Sequence, residues 1–328
     1  MLRSMYSGIS GLKNFQTKLD VIGNNISNVN TYGFKKERTI FKDLISQTQA
    51  GASGPTATRG GVNAVQVGLG SQLAAIDTVH NGGSLQTTGR TLDLAISGDG
   101  FFMVADSGAD DAPDAADMAD LADNPLADGS LTNVSYTRAG NFYMDRNGYL
   151  VNGDGKYVVG IPAGNLYADP ETVDPSNADA EKEALGLEIT DLYNDGTWID
   201  ETEAAPIRIP TNAKSMSIGI DGTVNYVDVN GVLQFAGQLL MAKFPNASGL
   251  EKTGSNYFQT TANSGEPLIQ VGTQAGIGSI QSGFLEMSNV DLSEEFTEMI
   301  VAQRGFQANS RIITTSDEIL QELVNLKR

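Results

Sequence analysis

The chain has no cysteine, so disulfides, thiolate metal sites and thiol nucleophiles are absent from its chemistry. Its single histidine, His80 in Asp77-Thr-Val-His80-Asn-Gly-Gly83, excludes a His-rich zinc centre and leaves one conceivable Ser-His-Asp triad. The residues around it are those of an ordinary loop or edge strand. Trp198 is the only tryptophan, and no aromatic-rich platform accompanies the paired carboxylates that glycoside chemistry requires. Gly-x-Gly combinations such as Gly68-Leu-Gly70 and Gly276-Ile-Gly278 lack both phosphate-loop spacing and a Walker lysine. No stretch approaches the roughly 18 apolar residues of a membrane span. The start, Met1-Leu-Arg-Ser-Met-Tyr6, shows neither an apolar segment nor a small-residue cleavage site. The residues predict no enzyme, no cofactor or metal site and no membrane insertion, and give no signal for the Sec route.

Basic residues are scarce as well, 21 against 40 acidic, for a formal net charge of −19. The imbalance is local. Residues 106–128 carry eight Asp and no Lys or Arg, residues 169–203 carry twelve Asp or Glu against Lys182 alone, and the remainder is balanced. These runs, rich in Ala, Asp, Pro and Asn, predict surface insertions at about 106–131 and 165–205. They repel polyanions and no basic face offsets them, so nucleic acid is not an expected partner. Chelation of Ca²⁺ or Mg²⁺ needs several oxygens in a fixed cage, which such runs do not offer.

What is abundant sorts into three patterns. From the start, Leu2, Met5, Ile9, Leu12, Phe15, Leu19, Ile22, Ile26 and Val29 recur in steps of three and four, one narrow stripe along a helix of the coiled-coil type. At the other end Met299, Phe306, Ile313 and Leu320 recur every seven residues, flanked by Leu292, Phe296, Ile312, Ile319, Leu323 and Val324. Asp291 with Glu294 reads as a capping box opening a second helix that runs to about Lys327. With Gly8, Gly11 and Gly23 in the first helix, each costing about 1 kcal/mol against Ala, and no partner for either stripe, both helices are expected to order only on assembly.

Between them, roughly over 75–274, alternation of period two is broken by tight-turn dipeptides. Leu92, Leu94 and Ile96 precede Asp99-Gly100, Met216, Ile218 and Ile220 precede Asp221-Gly222, and Asn147-Gly148 and Asn230-Gly231 separate further apolar pairs. Asp145-Arg-Asn-Gly-Tyr-Leu-Val-Asn152-Gly-Asp-Gly155 superficially resembles a calcium loop, but it lacks the EF-hand start and closing Glu, and hairpins need the same residues. The fold class is therefore α+β, with terminal helices at 1–30 and 289–328 forming a coiled-coil-like core and a central antiparallel β domain. Residues 31–74 and 275–288 are expected as connectors, the Gly-, Ala-, Ser- and Thr-rich Gln47 to Asn63 being flexible or extended.

Four segments resemble the flagellar rod and hook proteins. Asp20-Val-Ile-Gly-Asn-Asn-Ile-Ser-Asn-Val-Asn-Thr-Tyr-Gly-Phe-Lys35 is similar to their N-terminal signature, and Gly283-Phe-Leu-Glu-Met-Ser-Asn-Val-Asp-Leu292 to their C-terminal one. Thr88-Gly-Arg-Thr-Leu-Asp-Leu-Ala-Ile-Ser-Gly-Asp-Gly-Phe-Phe102 and Tyr136-Thr-Arg-Ala-Gly-Asn-Phe142 resemble the start of their β domain. Among signature residues, Asn24, Asn25 and Asn28 suit hydrogen bonding to backbone at a helix end, Gly33 a left-handed turn, and Phe34 an apolar anchor; Asn289 and Asp291 carry the C-terminal match.

The resemblance implies a structural subunit of a tubular helical polymer, with the apolar residues of both helices buried in self-assembly. Gly305 to Arg328 resembles the hook subunits of Gram-positive, Bacillus-like bacteria most closely, which implies a curved joint passing motor torque to the filament; a distal rod subunit is the alternative. Implied partners are copies of the chain, the hook cap, the rod, the hook-filament junction proteins and the flagellar type III export apparatus, with an extracellular location in the flagellum. A secreted acidic β binding module that uses its helices only to oligomerise is the competing class. It predicts a discrete ligand and a small closed oligomer.

Overall fold

The computed structural model describes residues 2–56, 58–107, 131–162 and 204–326, so most of both acidic runs, and Trp198, lie outside the described residues. What is described is mostly β with two α-helices, an α+β fold: α1 (Leu2–Ser27) and α2 (Leu292–Leu326). Strands β1 (Glu37–Asp43), β2 (Ser46–Ala50), β3 (Val65–Gly68) and β4 (Ser71–Thr78) follow α1. Then come β5 (Leu85–Thr87), β6 (Leu94–Ser97), β7 (Phe101–Ser107), β8 (Leu131–Thr137), β9 (Tyr143–Met144), β10 (Leu150–Val151), β11 (Tyr157–Pro162) and β12 (Ala205–Pro206). The series ends with β13 (Ser215–Ile218), β14 (Thr223–Val227), β15 (Leu233–Lys243), β16 (Glu251–Gly254), β17 (Tyr257–Gln259), β18 (Leu268–Val271), β19 (Ser279–Ser282) and β20 (Phe284–Glu286). The chain divides into two compact units: Met1–Asn30, Lys35–Asn81 and Asn289–Arg328 form one, Thr31–Phe34 and Gly82–Ser288 the other.

In the helical unit α1 and α2 run antiparallel. Gly8 lies against Ile313, Gly11 against the carboxamide of Asn309 and Gly305 against the ring of Phe15, so rising numbers on α1 meet falling numbers on α2. Small residues create this seam: a Cβ on Gly305 would stand 2.5 Å from the Phe15 ring, and one on Gly11 2.7 Å from Asn309 Nδ2. Glycines that weaken an isolated helix here permit close approach. The expectation that neither stripe has a partner within one chain is corrected: the two helices pair with each other. Asp291 caps α2 by accepting the backbone N–H groups of Ser293 (2.8 Å) and Glu294 (3.4 Å).

Strands β1 and β4 pair antiparallel from Glu37↔Thr78 to Asp43↔Ser71, with a bulge at Ile40/Phe41. Beyond them β2 and β3 pair from Ser46↔Gly68 to Ala50↔Val65, and bridges Ser53↔Val62 and Thr56↔Arg59 carry the ribbon outward. The stretch expected as a flexible or extended connector is extended, and its strands pair into a ribbon. Asn14 of α1 ties this element in through a 2.9 Å hydrogen bond to Ser71 Oγ. Gly70, at φ +119°, lets the chain pass Ser10 closer than any side chain would allow.

The β unit is built on a sheet in the order β13-β14-β15-β11-β7-β8-β17-β16. Its middle strands are buried on both faces. Phe102, Val104, Val158, Leu239 and Met241 enter one core with Leu94, Phe142 and Ile280. Phe101, Met103, Ala105, Val159, Leu240 and Ala242 enter a second with Tyr136, Phe244 and Phe258. That explains why these strands read as continuous apolar runs, whereas a strand with one wet face alternates. Ile220, expected in alternation with Met216 and Ile218, is exposed at a turn.

Three of the four expected turn dipeptides, together with Asp154-Gly155, resolve into one repeated device, whereas Asp99-Gly100 closes no hairpin because β6 pairs with β19 and β7 with β8. In Asp145–Tyr149, Asn152–Lys156, Gly219–Thr223 and Asp228–Val232 the fourth residue, a glycine, donates its N–H to the first carbonyl, and the first N–H goes to the fifth carbonyl. The four glycines, Gly148, Gly155, Gly222 and Gly231, all have φ between 81 and 89°. This is the three-residue hairpin loop in which a type I turn ends in a left-handed glycine bulge. The oxygens of the calcium-like segment serve it: Asn152 Oδ1 accepts the N–H groups of Asp154 and Lys156, and Asp154 Oδ2 accepts the Tyr257 hydroxyl.

A buried ion pair locks this unit. Arg138 Nη1 lies 3.3 Å from Glu286 Oε2, both groups being almost fully buried, while Nη2 donates to Gly98 O at 2.8 Å and the guanidinium faces the Phe101 ring. Burial pulls the Arg138 pKa down and Glu286 opposes that pull. Removing one partner leaves the other charge buried. Arg138→Met is expected to cost about 3–5 kcal/mol in urea unfolding, with much of the loss restored in Arg138→Met/Glu286→Leu. A single variant that unfolds like the parent protein refutes the lock.

Candidate assembly faces and signature clasps

The helix pair covers only part of the apolar surface that the sequence marks. Of the expected α1 stripe, Ile22 is buried, Met5, Leu12, Phe15, Leu19 and Ile26 are half-buried, and Ile9 is exposed. The Leu2 side chain is not among those described. On α2, Met299, Ile313 and Leu320 are half-buried, but Phe296, Phe306 and Val324 are exposed at 50%, 38% and 66%. The heptad of four therefore does not form a single buried seam. The row turned toward α1 holds Glu295, Met299, Ala302, Gly305, Asn309, Ile313, Ser316 and Leu320, five of the eight polar or small. Periodicity of apolar residues alone misses such a row, since its buried members Glu295, Ala302 and Ser316 carry no hydrophobic signal.

Two apolar strips remain uncovered on the pair, Leu292, Phe296 and Ile300 near the start of α2 and Ile312, Ile319, Leu323 and Leu326 toward its end. Because residue 8 meets residue 313, the last two turns of α2 project past the start of α1.

The signature residues act as clasps. Asn25, 1% exposed, donates through Nδ2 to Glu37 O (2.8 Å) and accepts Glu37 N–H on Oδ1 (3.0 Å), fixing β1 to α1 as a neighbouring strand would. Asn28 Nδ2 reaches Asn24 O at 3.0 Å and closes the end of α1. In the same unit Asn289 accepts Lys36 N–H at 2.8 Å and donates to Val79 O (2.8 Å) and Asn81 O (3.2 Å). Lys35, fully buried, donates to Asn81 O. In the β unit Gly33, φ +69°, passes within what would be a 2.6 Å Cβ contact of Ala139 N and donates its N–H to Glu286 O. Phe34 is buried under Lys252 Nζ, 5.0 Å above its ring. Sequence reasoning missed Lys35, Arg138, Glu286 and Glu295. The available signal was a charge embedded in an apolar motif, as in Tyr136-Thr-Arg-Ala-Gly and Gly-Phe-Leu-Glu286.

Lys18, Val21, Ile22, Lys36, Glu37, Arg38, Thr39, Glu294, Glu295 and Glu298 surround a pocket within the helical unit. Lys18 pairs with Glu298 and Lys36 with Glu294. Glu295, 6% exposed, receives the Asn25 amide at 3.3 Å. Burial pushes its carboxyl pKa up, while the Asn25 bond and Lys36 pull it down. Among the described residues no group of three or more His, Cys, Asp or Glu is placed to hold a metal ion, and no helix is long and apolar enough to cross a membrane.

A carboxyl whose pKa is raised by folding makes the folded state relatively stronger below the unfolded pKa, about 4.3, and weakens it as pH rises through the folded pKa. Glu295→Gln is expected to raise helical-unit stability by roughly 1 kcal/mol at neutral pH. That gain should vanish as both proteins are melted below the unfolded pKa. A gain that is independent of pH contradicts the titration of Glu295.

Three family descriptions match the chain in order. "Flagella basal body rod protein" matches residues 5–35, "Flagellar hook protein FlgE/F/G D1 domain" residues 126–226, and "Flagellar basal body rod FlgEFG protein C-terminal" residues 281–326. The chain is similar to the flagellar basal-body rod protein FlgG of Bacillus subtilis, 51% identical with all of both chains covered. It is likewise similar to the flagellar hook protein FlgE of Borreliella burgdorferi, at 33% over all of both chains, and to that of Treponema pallidum, at 30% over all of both. The chain therefore belongs to the FlgE/F/G family of flagellar rod and hook structural proteins.

Proposed function

We propose that this chain polymerises with copies of itself into the axial tube of the flagellum, as a distal rod subunit. The observation that carries the rod position is the 51% identity, over all of both chains, with a protein named for the rod. The hook is the second reading, favoured by the similarity of Gly305 to Arg328 to hook subunits and by the full-length match to two hook proteins.

Self-assembly draws support from surfaces that one chain does not cover. The apolar strips of α2 face solvent in the single chain. The ribbon over residues 44–70 carries Arg59 as its one charge, and β2 and β3 are exposed throughout. A two-stranded ribbon is marginal by itself, and an uncharged open edge invites pairing. A contact that is head-to-tail and does not close builds a helical tube. In this reading the helices form the coiled-coil-like inner layer, the β unit faces outward, and the subunit leaves through the type III export apparatus. Its neighbours are the adjoining rod, cap and hook or hook-filament junction proteins. For the secreted binding-module alternative, no group of three or more His, Cys, Asp or Glu among the described residues is placed to hold a metal ion.

Ile319→Asp/Leu323→Asp tests the reading, since both side chains are exposed in the single chain. The monomer should melt within about 0.5 kcal/mol of the parent protein, while the critical concentration for tubes seen by electron microscopy rises roughly tenfold or more. Unchanged polymerisation removes these strips from the assembly contact. A deletion strain separates the positions: loss of a rod subunit leaves no hook, whereas loss of a hook subunit leaves the rod intact.

A further inference from the structure

Two hairpin turns of the β unit are chemically matched, and their surroundings are opposite. Asp145-Arg-Asn147-Gly148-Tyr149 and Asp228-Val-Asn230-Gly231-Val232 form the same loop with the same two backbone hydrogen bonds, and each presents an exposed Asn before Gly. Around Asn147 the loop is clamped from outside. Ile209 N–H donates to Gly148 O at 2.8 Å, Arg208 Nε to Asn147 O at 3.2 Å and Leu150 N–H to Ile207 O at 3.1 Å. A Cβ on Gly148 would stand 2.0 Å from Ile209 O, whereas Gly231 has nothing within 4 Å. Among the described residues, the bonds that hold Asn230 are the loop's own: Gly231 N–H to Asp228 O (2.9 Å), Asp228 N–H to Val232 O (2.9 Å) and Asn230 Nδ2 to Asp228 Oδ2 (3.2 Å). The third hairpin Asn-Gly pair, Asn152-Gly153, is held by its side chain. Asn152 Oδ1 accepts two N–H groups, and Nδ2 donates to the Tyr257 hydroxyl.

We propose that Asn230 is a site of spontaneous deamidation in the folded protein. The Gly231 amide nitrogen attacks Asn230 Cγ, a new C–N bond closes the succinimide, and the Cγ–Nδ2 bond breaks. The Gly231 amide proton passes through solvent to the departing ammonia. Water then adds to either succinimide carbonyl, giving Asp or isoaspartate, and no oxidant or reductant is consumed. Ring closure requires the nitrogen to move over Cγ, which the turn forbids, so the reactive fraction is set by local opening. Opening at 230 breaks three weak bonds at the surface; opening at 147 also breaks the outer clamp. The product places a carboxylate beside Asp228 at a corner where Val229, Val232 and Leu233 are exposed. In the isoaspartate form the backbone also gains a methylene inside the turn. The β domain thus acquires charge with age at this exposed apolar corner.

The test is ageing the full-length protein at 37 °C in mildly alkaline buffer, followed by peptide mass spectrometry and isoaspartyl methyltransferase labelling. Three clamping hydrogen bonds at the 147 turn, against one added side-chain bond at the 230 turn, predict conversion at Asn230 roughly tenfold or more faster than at Asn147, with Asn152 slow as well. In concentrated urea the three rates should converge, because each Asn precedes Gly. Asn230→Ser should remove the label from that peptide and leave the Asn147 rate unchanged. Equal or faster conversion at Asn147 or Asn152 in the folded protein overturns the proposal, as does an Asn230 that stays intact while its urea-unfolded form converts.

Discussion

The chain changes units four times, at 30/31, 34/35, 81/82 and 288/289, and each unit must hold its own ends without a disulfide. Two polar side chains do this. In the helical unit the single carboxamide of Asn289 satisfies Lys36 N–H, Val79 O and Asn81 O. In the β unit Glu286 binds Gly83 N–H with one carboxylate oxygen and Arg138 with the other, and its backbone carbonyl takes Gly33 N–H. Backbone groups at crossing points have no ladder partner, and an unpaired buried one costs about 1–3 kcal/mol. Placing a multivalent polar group among them satisfies several at once. The signatures at 20–35 and 283–292 are then understandable as the two halves of these junctions brought together from opposite ends of the sequence.

Element types were legible in the sequence where periodicity is strong. The helices begin and end within a few residues of the positions marked by the apolar stripe, by Asp291 and by the Asn cluster. Four turns follow from Asn-Gly and Asp-Gly pairs, although the loops are one residue longer than the shortest hairpin those dipeptides serve. The partner of each helix was not legible. Most of the row on α2 that faces α1 is polar or small, so a search for apolar spacing places Phe306 in the seam and passes over Gly305, the residue that admits Phe15. The ribbon over β2 and β3 was hidden for a related reason: its side chains are exposed on both faces, so no alternation marks it. Lys35, Arg138 and Glu286 were invisible because charge ordinarily signals surface.

A seam of this composition has a consequence for assembly. Glu295, Asn309 and Ser316 contribute little hydrophobic free energy, and glycines at 8, 11 and 305 trade side-chain burial for backbone proximity. The larger apolar groups of α2, Phe296, Ile300, Ile312, Ile319 and Leu323, point elsewhere and are exposed. At about 25 cal/mol per Å² of apolar surface removed from water, their burial is worth more per residue than the contacts inside the pair. In the proposed polymer these exposed groups supply hydrophobic contacts between chains, while polar and steric fit sets much of the pairing within one. That division leaves the pair specified well enough to present a defined apolar face to its neighbours.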